Sequence, residues 1–294
     1  MLQGIAQQIV SGLATGGIYA SLALALVLIY SAMQLINFAQ GEMAMFTTFI
    51  AWSLLQAGLN YWIAFLLAVL IAFVGGVVVE RVVIRPVEHA PPLTIVMVTL
   101  GLLAIFNGLA GMIWQYVVKT FPSPFPAQPI SVAGVVLSLQ DLGVIAISLI
   151  VLVLLFLFFR YTRLGLAMRA AALYPESSRL LGVRVSWMLA IGWGLAAAVG
   201  AVSGMLVAPI VFLEPNMMQG IIIYAFAAAV VGGIESPLGA VLGGLLIGVM
   251  LNLIGTYVGF IGNELRLAVG LAVIVGVLVV RPAGLFGRRQ VRRV

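Results

Sequence analysis

The sequence contains no cysteine, one histidine and one lysine, and these shortages exclude several kinds of site. Without cysteine among its 294 residues, the chain forms no disulfide, no thiolate metal site and no cysteine nucleophile. A lone histidine, His89, cannot build a zinc site of the usual His-rich kind. The lone lysine, Lys119, follows no glycine-rich loop, so the chain lacks a Walker motif for ATP. We therefore expect no metal, no catalytic residue and no cofactor in this chain.

Charged residues are also scarce. Asp, Glu, Lys and Arg make up 7% of the chain and hydrophobic residues 64%, whereas soluble domains are roughly 25% charged. The hydrophobic share is about 190 of the 294 residues, enough for eight or nine transmembrane helices at ~20 residues each. We predict an all-α, polytopic helical integral membrane protein. It forms a single transmembrane domain over residues 1–294, with some helices short or broken.

The arginines indicate which ends of the helices share a side of the membrane. Twelve of the fourteen basic residues fall in three clusters, at residues 81–85, 160–184 and 281–293. Basic residues in short loops mark the cytoplasmic side of a membrane protein. We therefore predict that these three segments, including the basic tail 281–294 at the C-terminus, are cytoplasmic.

Apolar segments between these clusters predict the helices. Six follow residue 90 and three precede it, although the sequence leaves open how many of those three cross fully. The segments lie near residues 5–30, 42–57, 60–79, 93–116, 139–159, 187–212, 220–233, 237–256 and 266–280. Four prolines between residues 121 and 129 predict an extended external loop over about 119–138.

Glycines four residues apart predict close contacts between helices, because two small residues one turn apart let helix backbones approach. Five such pairs occur in the apolar segments. They are Gly12 and Gly16, Gly200 and Gly204, Gly239 and Gly243, Gly244 and Gly248, and Gly255 and Gly259. Together they predict a compact helical bundle.

A polar segment at residues 34–42 interrupts the apolar N-terminal part of the chain. Polar groups at membrane depth are costly and usually face a cavity or a partner, and Gly41 permits a helix break of the kind that builds transporter sites. On this interpretation Asn37, Gln40 and Glu42 line a translocation path or its gate. The alternative is a plain interfacial turn with Glu42 in solvent.

Two further segments carry turn signals. At residues 232–239, glycines end one helix, Ser236 caps the next and Pro237 occupies its first turn. Residues 160–186 predict a short helix, a break before Pro175 and a second helical turn closed by Gly182. Its small residues between arginines, Ala167, Ala170 and Ala171, suit either a protein partner or anionic membrane lipid.

Five ordered blocks resemble the permease subunits of branched-chain amino acid ABC importers, over essentially the whole chain. The short chain is more similar to the smaller, high-affinity-type permease of such importers. The blocks are GLATGGIYASLALALVLIYSAMQLINFAQGEMAM, ERVVIRPVEHAPPL, RLGLAMRAAALYPESSRLLGVRV, GGIESPLGAVLGGLLIG and RPAGLFGRR.

The resemblance implies a multi-pass transport protein of the bacterial inner membrane that is not itself an enzyme. Two ATP-binding-cassette ATPase subunits would bind ATP and dock on the coupling segment, residues 160–186. An external binding protein would deliver branched-chain amino acids, and a second homologous permease would complete the pore. The substrate path would include Asn37, Gln40, Gly41 and Glu42. Contacts to the ATPases would come from Arg163, Arg169, Ala170, Glu176, Arg179 and Gly182.

Other functions stay open at this point. Similar importers carry urea, short amides or other amino acids. A secondary transporter or channel would need ionisable groups within its spans, and Glu42 is almost alone there. An intramembrane protease based on Ser203 would rely on His89 in a predicted cytoplasmic loop, and Asp141 is the only aspartate. Nothing in the sequence indicates a nucleic-acid partner.

Overall fold

A computed structural model describes residues 2–33, 35–126, 129–132, 135–259, 265–281 and 283–287. Almost all of this part of the chain is helical. Its helices, in chain order, are α1 (Leu2–Met33), α2 (Gln40–Gln56), α3 (Tyr61–Val79), α4 (Pro92–Trp114), α5 (Leu139–Tyr161), α6 (Arg163–Leu173), α7 (Pro175–Leu180), α8 (Val185–Val211), α9 (Gln219–Gly232), α10 (Pro237–Tyr257) and α11 (Arg266–Val280). The predicted all-α class is confirmed.

Six helices in the described ranges are long and apolar enough to cross a membrane: α1, α3, α4, α5, α8 and α10. Two further apolar helices are shorter, with 14 residues in α9 and 15 in α11, and the less apolar α2 has 17. These nine helices coincide with the nine predicted segments to within a few residues. The chain is therefore a polytopic helical membrane protein, and the higher predicted number of spans includes the three short helices.

Local sequence signals explain where several helices begin. Asn60 accepts a hydrogen bond from the Trp62 N–H at 3.0 Å and so caps α3. Thr162 caps α6 in the same way through the Gly165 N–H at 2.9 Å. Ser236 caps α10 through the Gly239 N–H at 3.0 Å, as predicted, with proline at the start of the helix.

The helical chain continues beyond the predicted segment near residues 60–79. A π-helical turn, Glu80–Ile84, continues α3 and passes into a 3-10 turn, Arg85–Val87. Single π turns in α-helices often mark functional positions. The proline-rich segment is extended, as predicted, and it leads into an antiparallel hairpin of β1 (Pro129–Val132) and β2 (Val135–Ser138) that the sequence did not suggest.

The chain divides into two compact units. The first comprises residues 1–27, 125–149 and 220–294, and the second comprises residues 28–124 and 150–219. Residues 288–294, most of the predicted basic tail, lie outside the described residues.

Close backbone contact between α1 and α10 organises the first unit. A methyl group at Gly12 would lie 2.7 Å from the Val249 Cα, and one at Gly16 would lie 2.9 Å from the Leu245 Cα. On the opposite helix, Gly244 faces Ala20 and Gly248 faces Gly16 at similarly close range. Glycine on both sides of this crossing therefore lets the two backbones touch.

A second crossing in the first unit joins α9 and α10. Gly239 faces Gly232, and Gly243 faces Ala228. Of the predicted pair Gly255 and Gly259, Gly255 lies close to the Arg266 side chain of α11, and no atom of the described residues lies within 4 Å of a side chain built at Gly259.

The second unit is built around α8, which packs against α2 and α3. A methyl group at Gly76 of α3 would lie 2.6 Å from the Trp193 carbonyl oxygen of α8. On the face toward α2, methyl groups at Gly200 and Gly204 would collide with side chains or backbone of that helix. Because these glycines remove side chains at the crossings, α8 is buried over most of its length.

Candidate functional site

Residues 35–39 of the polar segment form a non-helical connection before α2, and residues 40–42 are the first turn of that helix. Asn37 stabilises this turn, because its Oδ1 accepts from the Ala39 N–H at 3.0 Å and its carbonyl oxygen accepts from the Gln40 N–H at 3.3 Å. Residue 34 lies outside the described residues. The interruption precedes Gly41, which lies in the first turn of α2. The predicted break is therefore present, but Asn37 rather than Gly41 shapes it.

Gln40 connects this turn to α8. Its side chain is fully buried, its Nε2 donates to the Ala196 carbonyl oxygen at 2.9 Å, and its Oε1 accepts from Asn37 Nδ2 at 3.3 Å. One turn along α8, a methyl group at Gly200 would lie 2.6 Å from Gln40 Nε2. Gly200 thus provides the space that the Gln40 amide occupies.

Glu42 lies on α2, like Gln40, and is 3% exposed. Its Oε2 accepts a hydrogen bond from Asn107 Nδ2 of α4 at 3.4 Å, and its place in the first turn of α2 favours a negative charge. The alternative in which Glu42 is in solvent is therefore wrong.

Asn107 connects Glu42 to the chain that follows α8. Its Nδ2 also lies 3.0 Å from the Pro215 carbonyl oxygen and 3.1 Å from Asn216 Oδ1, and Tyr116 donates to Asn107 Oδ1 at 3.1 Å. Asn107 was not among the predicted site residues. It could have been found as an amide in the middle of an apolar span, where polar groups usually have a partner.

Five residues of the second unit thus form two hydrogen-bonded groups, Asn37 with Gln40 and Glu42 with Asn107 and Asn216, which we call together the polar cluster. The cluster contains one carboxylate and four amides, so it offers both donors and acceptors in an otherwise apolar bundle. Within the described part of the chain, no group of three or more His, Asp or Glu residues is arranged to hold a metal ion.

The bond between Glu42 and Asn107 makes a testable prediction. Replacing Glu42 by alanine removes an acceptor for Asn107, and a hydrogen bond to a charged group contributes about 1.5–3 kcal/mol. We expect Glu42→Ala to slow substrate uptake roughly tenfold without preventing membrane assembly. Glu42→Gln, which keeps an oxygen acceptor at the same position, should retain most of the activity.

Uptake into reconstituted vesicles, normalised to the amount of folded chain, measures both variants. If Glu42→Ala took up substrate at the wild-type rate, the prediction that the polar cluster lines a translocation path would be wrong. Equal losses in the alanine and glutamine variants would contradict the role given to the hydrogen bond.

The coupling segment consists of α6 and α7, as predicted. Thr162 caps α6 and donates to the Phe158 carbonyl oxygen at 2.6 Å, which fixes the angle between α5 and α6. The helices separate at Tyr174, just before Pro175. Gly182 then adopts a φ of 83°, a left-handed conformation that favours glycine, and ends the segment.

Burial divides the two faces of this segment. Gly165, Met168, Ala171 and Ser178 face inward, so the predicted surface patch is wrong for Ala171. Of the predicted contact residues, Arg163, Arg169, Glu176, Arg179 and Gly182 are exposed, and Ala170 is partly exposed. Glu176 and Arg179 form a weak exposed ion pair at 3.5 Å.

The exposed face also carries apolar side chains that the sequence analysis did not single out. Leu173, Tyr174, Leu180 and Leu181 are between 67% and 89% exposed. Large apolar groups exposed next to arginines are typical of an interaction surface. In the sequence, two of these residues, Leu173 and Tyr174, stand out as an apolar pair directly before Pro175.

The polar cluster and the coupling segment lie on a bundle of apolar helices that is long enough to cross a membrane several times. Residues 8–278 match the family described as branched-chain amino acid transport system, permease component. The chain therefore belongs to this permease family.

Relatives of known name agree over nearly the full length. The chain is 31% identical to the high-affinity branched-chain amino acid transport system permease protein BraD of Pseudomonas aeruginosa, covering 98% of this chain and 97% of the relative. It is 30% identical to the permease protein LivH of Salmonella typhimurium with the same coverage. A probable LivH of Methanocaldococcus jannaschii is 28% identical over 90% of this chain and 87% of the relative.

Among solved structures, PsaBC from Streptococcus pneumoniae in complex with Fab is similar to this chain. The TM-score is 0.50, and the similarity covers 94% of this chain and 91% of the other at 11% sequence identity. At that identity the likeness shows a shared fold and no more.

Proposed function

We propose that this chain is the membrane-spanning subunit of an ABC importer for branched-chain, hydrophobic amino acids. An external binding protein delivers the substrate, two separate ATPase subunits bind and hydrolyse ATP, and a second homologous permease completes the path. The importer lies in a bacterial inner membrane, with the coupling segment and the C-terminus on the cytoplasmic side. Membership of the permease family and the names of its relatives support the transport role and the substrate class.

The observation that carries the proposal is the helical coupling segment between α5 and α8. It is too short to cross a membrane, with 11 residues in α6 and 6 in α7, yet capping and inward-facing residues hold it firmly. A force applied to its exposed face would act on α8 directly, because α8 continues from its end. Such an arrangement suits a chain that must receive the energy of ATP hydrolysis from another subunit.

The polar cluster supports a path for small zwitterions. A branched-chain amino acid combines an apolar side chain with a carboxylate and an ammonium group. The cluster offers amide donors and one carboxylate, and apolar helices surround it. Polar groups inside a membrane protein usually serve a substrate path or a helix contact.

Purification of the tagged chain from its native membranes tests the proposed assembly. We expect two ATPase subunits and a second polytopic chain to remain bound in mild detergent, as identified by mass spectrometry. Tyr174→Glu, which places a charge on the exposed apolar face, should reduce recovery of the ATPases. Arg281→Glu, a surface change outside the coupling segment, should not. Recovery of the active chain without ATPases would overturn the proposal in favour of a secondary transporter.

Uptake by the purified assembly in vesicles tests which class of substrate it carries. We expect ATP-dependent uptake of labelled leucine that unlabelled isoleucine and valine reduce by competition and urea does not. Competition by urea or a short amide, with no effect of isoleucine or valine, would retain the importer and change its substrate class.

A further inference from the structure

A basic cleft opens in the second unit where α3 ends and α8 begins. Its volume is about 590 Å³, within the range of ~300–1,000 Å³ that is typical of ligand sites. Four arginines line it, together with the carboxylate of Glu88 and the ring of Trp187. The arginines are Arg81, Arg85, Arg179 and Arg184. The lining side chains therefore carry a surplus of positive charge.

Arg81 is held between Trp187 and Glu80, and two of its nitrogen atoms donate no hydrogen bond to the described residues. Its guanidinium carbon lies 3.7 Å from the centre of the Trp187 ring, and its Nε lies 3.9 Å from Glu80 Oε2. Its Nε and Nη2 are buried, and neither donates a hydrogen bond to any residue in the described ranges. These two nitrogens lie beside the buried carboxylate of Glu80, and the rest of the Arg81 side chain, which is 26% exposed overall, lines the cleft.

The acidic groups near the cleft do not neutralise the other arginines. Glu88 Oε1 lies 3.4 Å from His89 Nε2, and Glu176 is exposed and pairs with Arg179 at 3.5 Å. Across the described part of the chain, Arg85 and Arg184 form no ion pair within 4.0 Å. Several guanidinium groups around one cleft, with little competing carboxylate, favour a phosphate-bearing ligand.

The cleft lies where lipid headgroups are expected. The apolar span that contains α3 ends at Val87, and the span of α8 begins at Val185, so both spans reach the cleft at one of their ends. Trp187 is 44% exposed at this level, and tryptophan is enriched where membranes meet water. Near the cleft in the sequence, Val78 at the end of α3 and Val82 in the π turn are at least 50% exposed and offer an apolar surface for an acyl chain.

We propose that this cleft binds the phosphate of an anionic phospholipid headgroup. Basic pockets at the ends of spanning helices hold such headgroups through charge and hydrogen bonds. The guanidinium groups of Arg81, Arg85 and Arg184 contact the phosphate, and the acyl chains follow α3. The proposal does not depend on the transported substrate, but Arg179 and Gly182 of this cleft are also predicted ATPase contacts, so lipid and protein share part of this surface.

Retention of lipid by the purified chain tests this site. The chain is reconstituted with phosphatidylcholine and phosphatidylglycerol, extracted in detergent, washed and analysed for bound lipid by mass spectrometry. We expect selective retention of phosphatidylglycerol. The double variant Arg85→Gln/Arg184→Gln should reduce it about 30-fold, at roughly fivefold per arginine near a lipid surface. The matched control Arg160→Gln/Arg281→Gln removes two surface charges outside the cleft and should retain the lipid.

Three results would overturn the proposal. Equal loss of lipid in both double variants would mean general attraction to the surface. Displacement of the lipid by inorganic phosphate at equal ionic strength, or binding of inorganic phosphate alone, would assign the cleft to a free anion. Unchanged lipid retention in Arg85→Gln/Arg184→Gln, with loss of bound ATPases, would assign it to a protein contact. Melting curves of the purified variants establish that both are folded.

Discussion

Arg169→Glu is expected to abolish ATP-driven uptake while the chain still inserts into the membrane. Arg169 is exposed on α6, beside residues that hold this helix against α8. Charge pairs at protein contacts are worth about 2–5 kcal/mol when one partner is lost, so reversal of the charge should reduce coupled uptake by at least roughly tenfold. ATP hydrolysis by the bound ATPases should continue or rise without substrate movement.

The measurement compares ATP hydrolysis and leucine uptake in the same vesicles. Arg281→Glu is the matched control, since it reverses an exposed charge at the end of α11, outside the coupling segment. We expect it to leave the ratio of uptake to hydrolysis unchanged. Normal coupling in Arg169→Glu would remove Arg169 from the contact with the ATPases, whatever the fate of the control.

Gly248→Val is expected to prevent stable folding of the first unit. A side chain at Gly248 would collide with the backbone of Gly16 and the carbonyl oxygen of Gly12. Backbone atoms cannot move aside as the end of a flexible side chain can, so α1 and α10 must separate. Overpacking of this kind costs roughly 3 kcal/mol, a large part of the ~5–15 kcal/mol that stabilises a typical protein.

Gly101→Val provides the control within a helix of similar length. Gly101 lies inside α4, and among the residues that the structure describes no atom lies within 4 Å of a side chain built there. Both variants lose a helical glycine, but only Gly248→Val fills a contact. Each variant is expressed by itself, heated and analysed by size-exclusion chromatography. The monodisperse peak of Gly248→Val should disappear at a lower temperature than that of the wild type, and the peak of Gly101→Val should disappear at nearly the wild-type temperature. Equal melting of the two would contradict the tight crossing of α1 and α10.

The helices themselves could be predicted from the order of residues because their causes are local. Apolar runs of suitable length predict spans, and Thr162, Ser236 and Pro175 lie within a few positions of the helix starts that they define. The coupling segment was predicted for the same reason. The π turn at Glu80–Ile84 and the hairpin of β1 and β2 have weaker local signals, and both were missed.

The polar cluster could be predicted only in part. Asn37, Gln40 and Glu42 were found because they are neighbours in an apolar stretch. Their partners were not, because Gln40 bonds to Ala196, which is 156 positions away, and Glu42 bonds to Asn107, which is 65 positions away. No pattern in a single sequence indicates which residues far apart in the chain will be in contact.

Sequence alone established a polytopic helical membrane protein, the places where its helices begin and end, and a helical segment between α5 and α8, because hydropathy, capping and proline act over short distances. Tertiary structure decided which glycines meet a neighbouring helix, as Gly248 of α10 meets Gly16 of α1. It also buried Glu42 beside Asn107, turned Ala171 inward and gathered four arginines around one cleft. These features depend on contacts between residues far apart in the chain, and only packed helices bring such residues together.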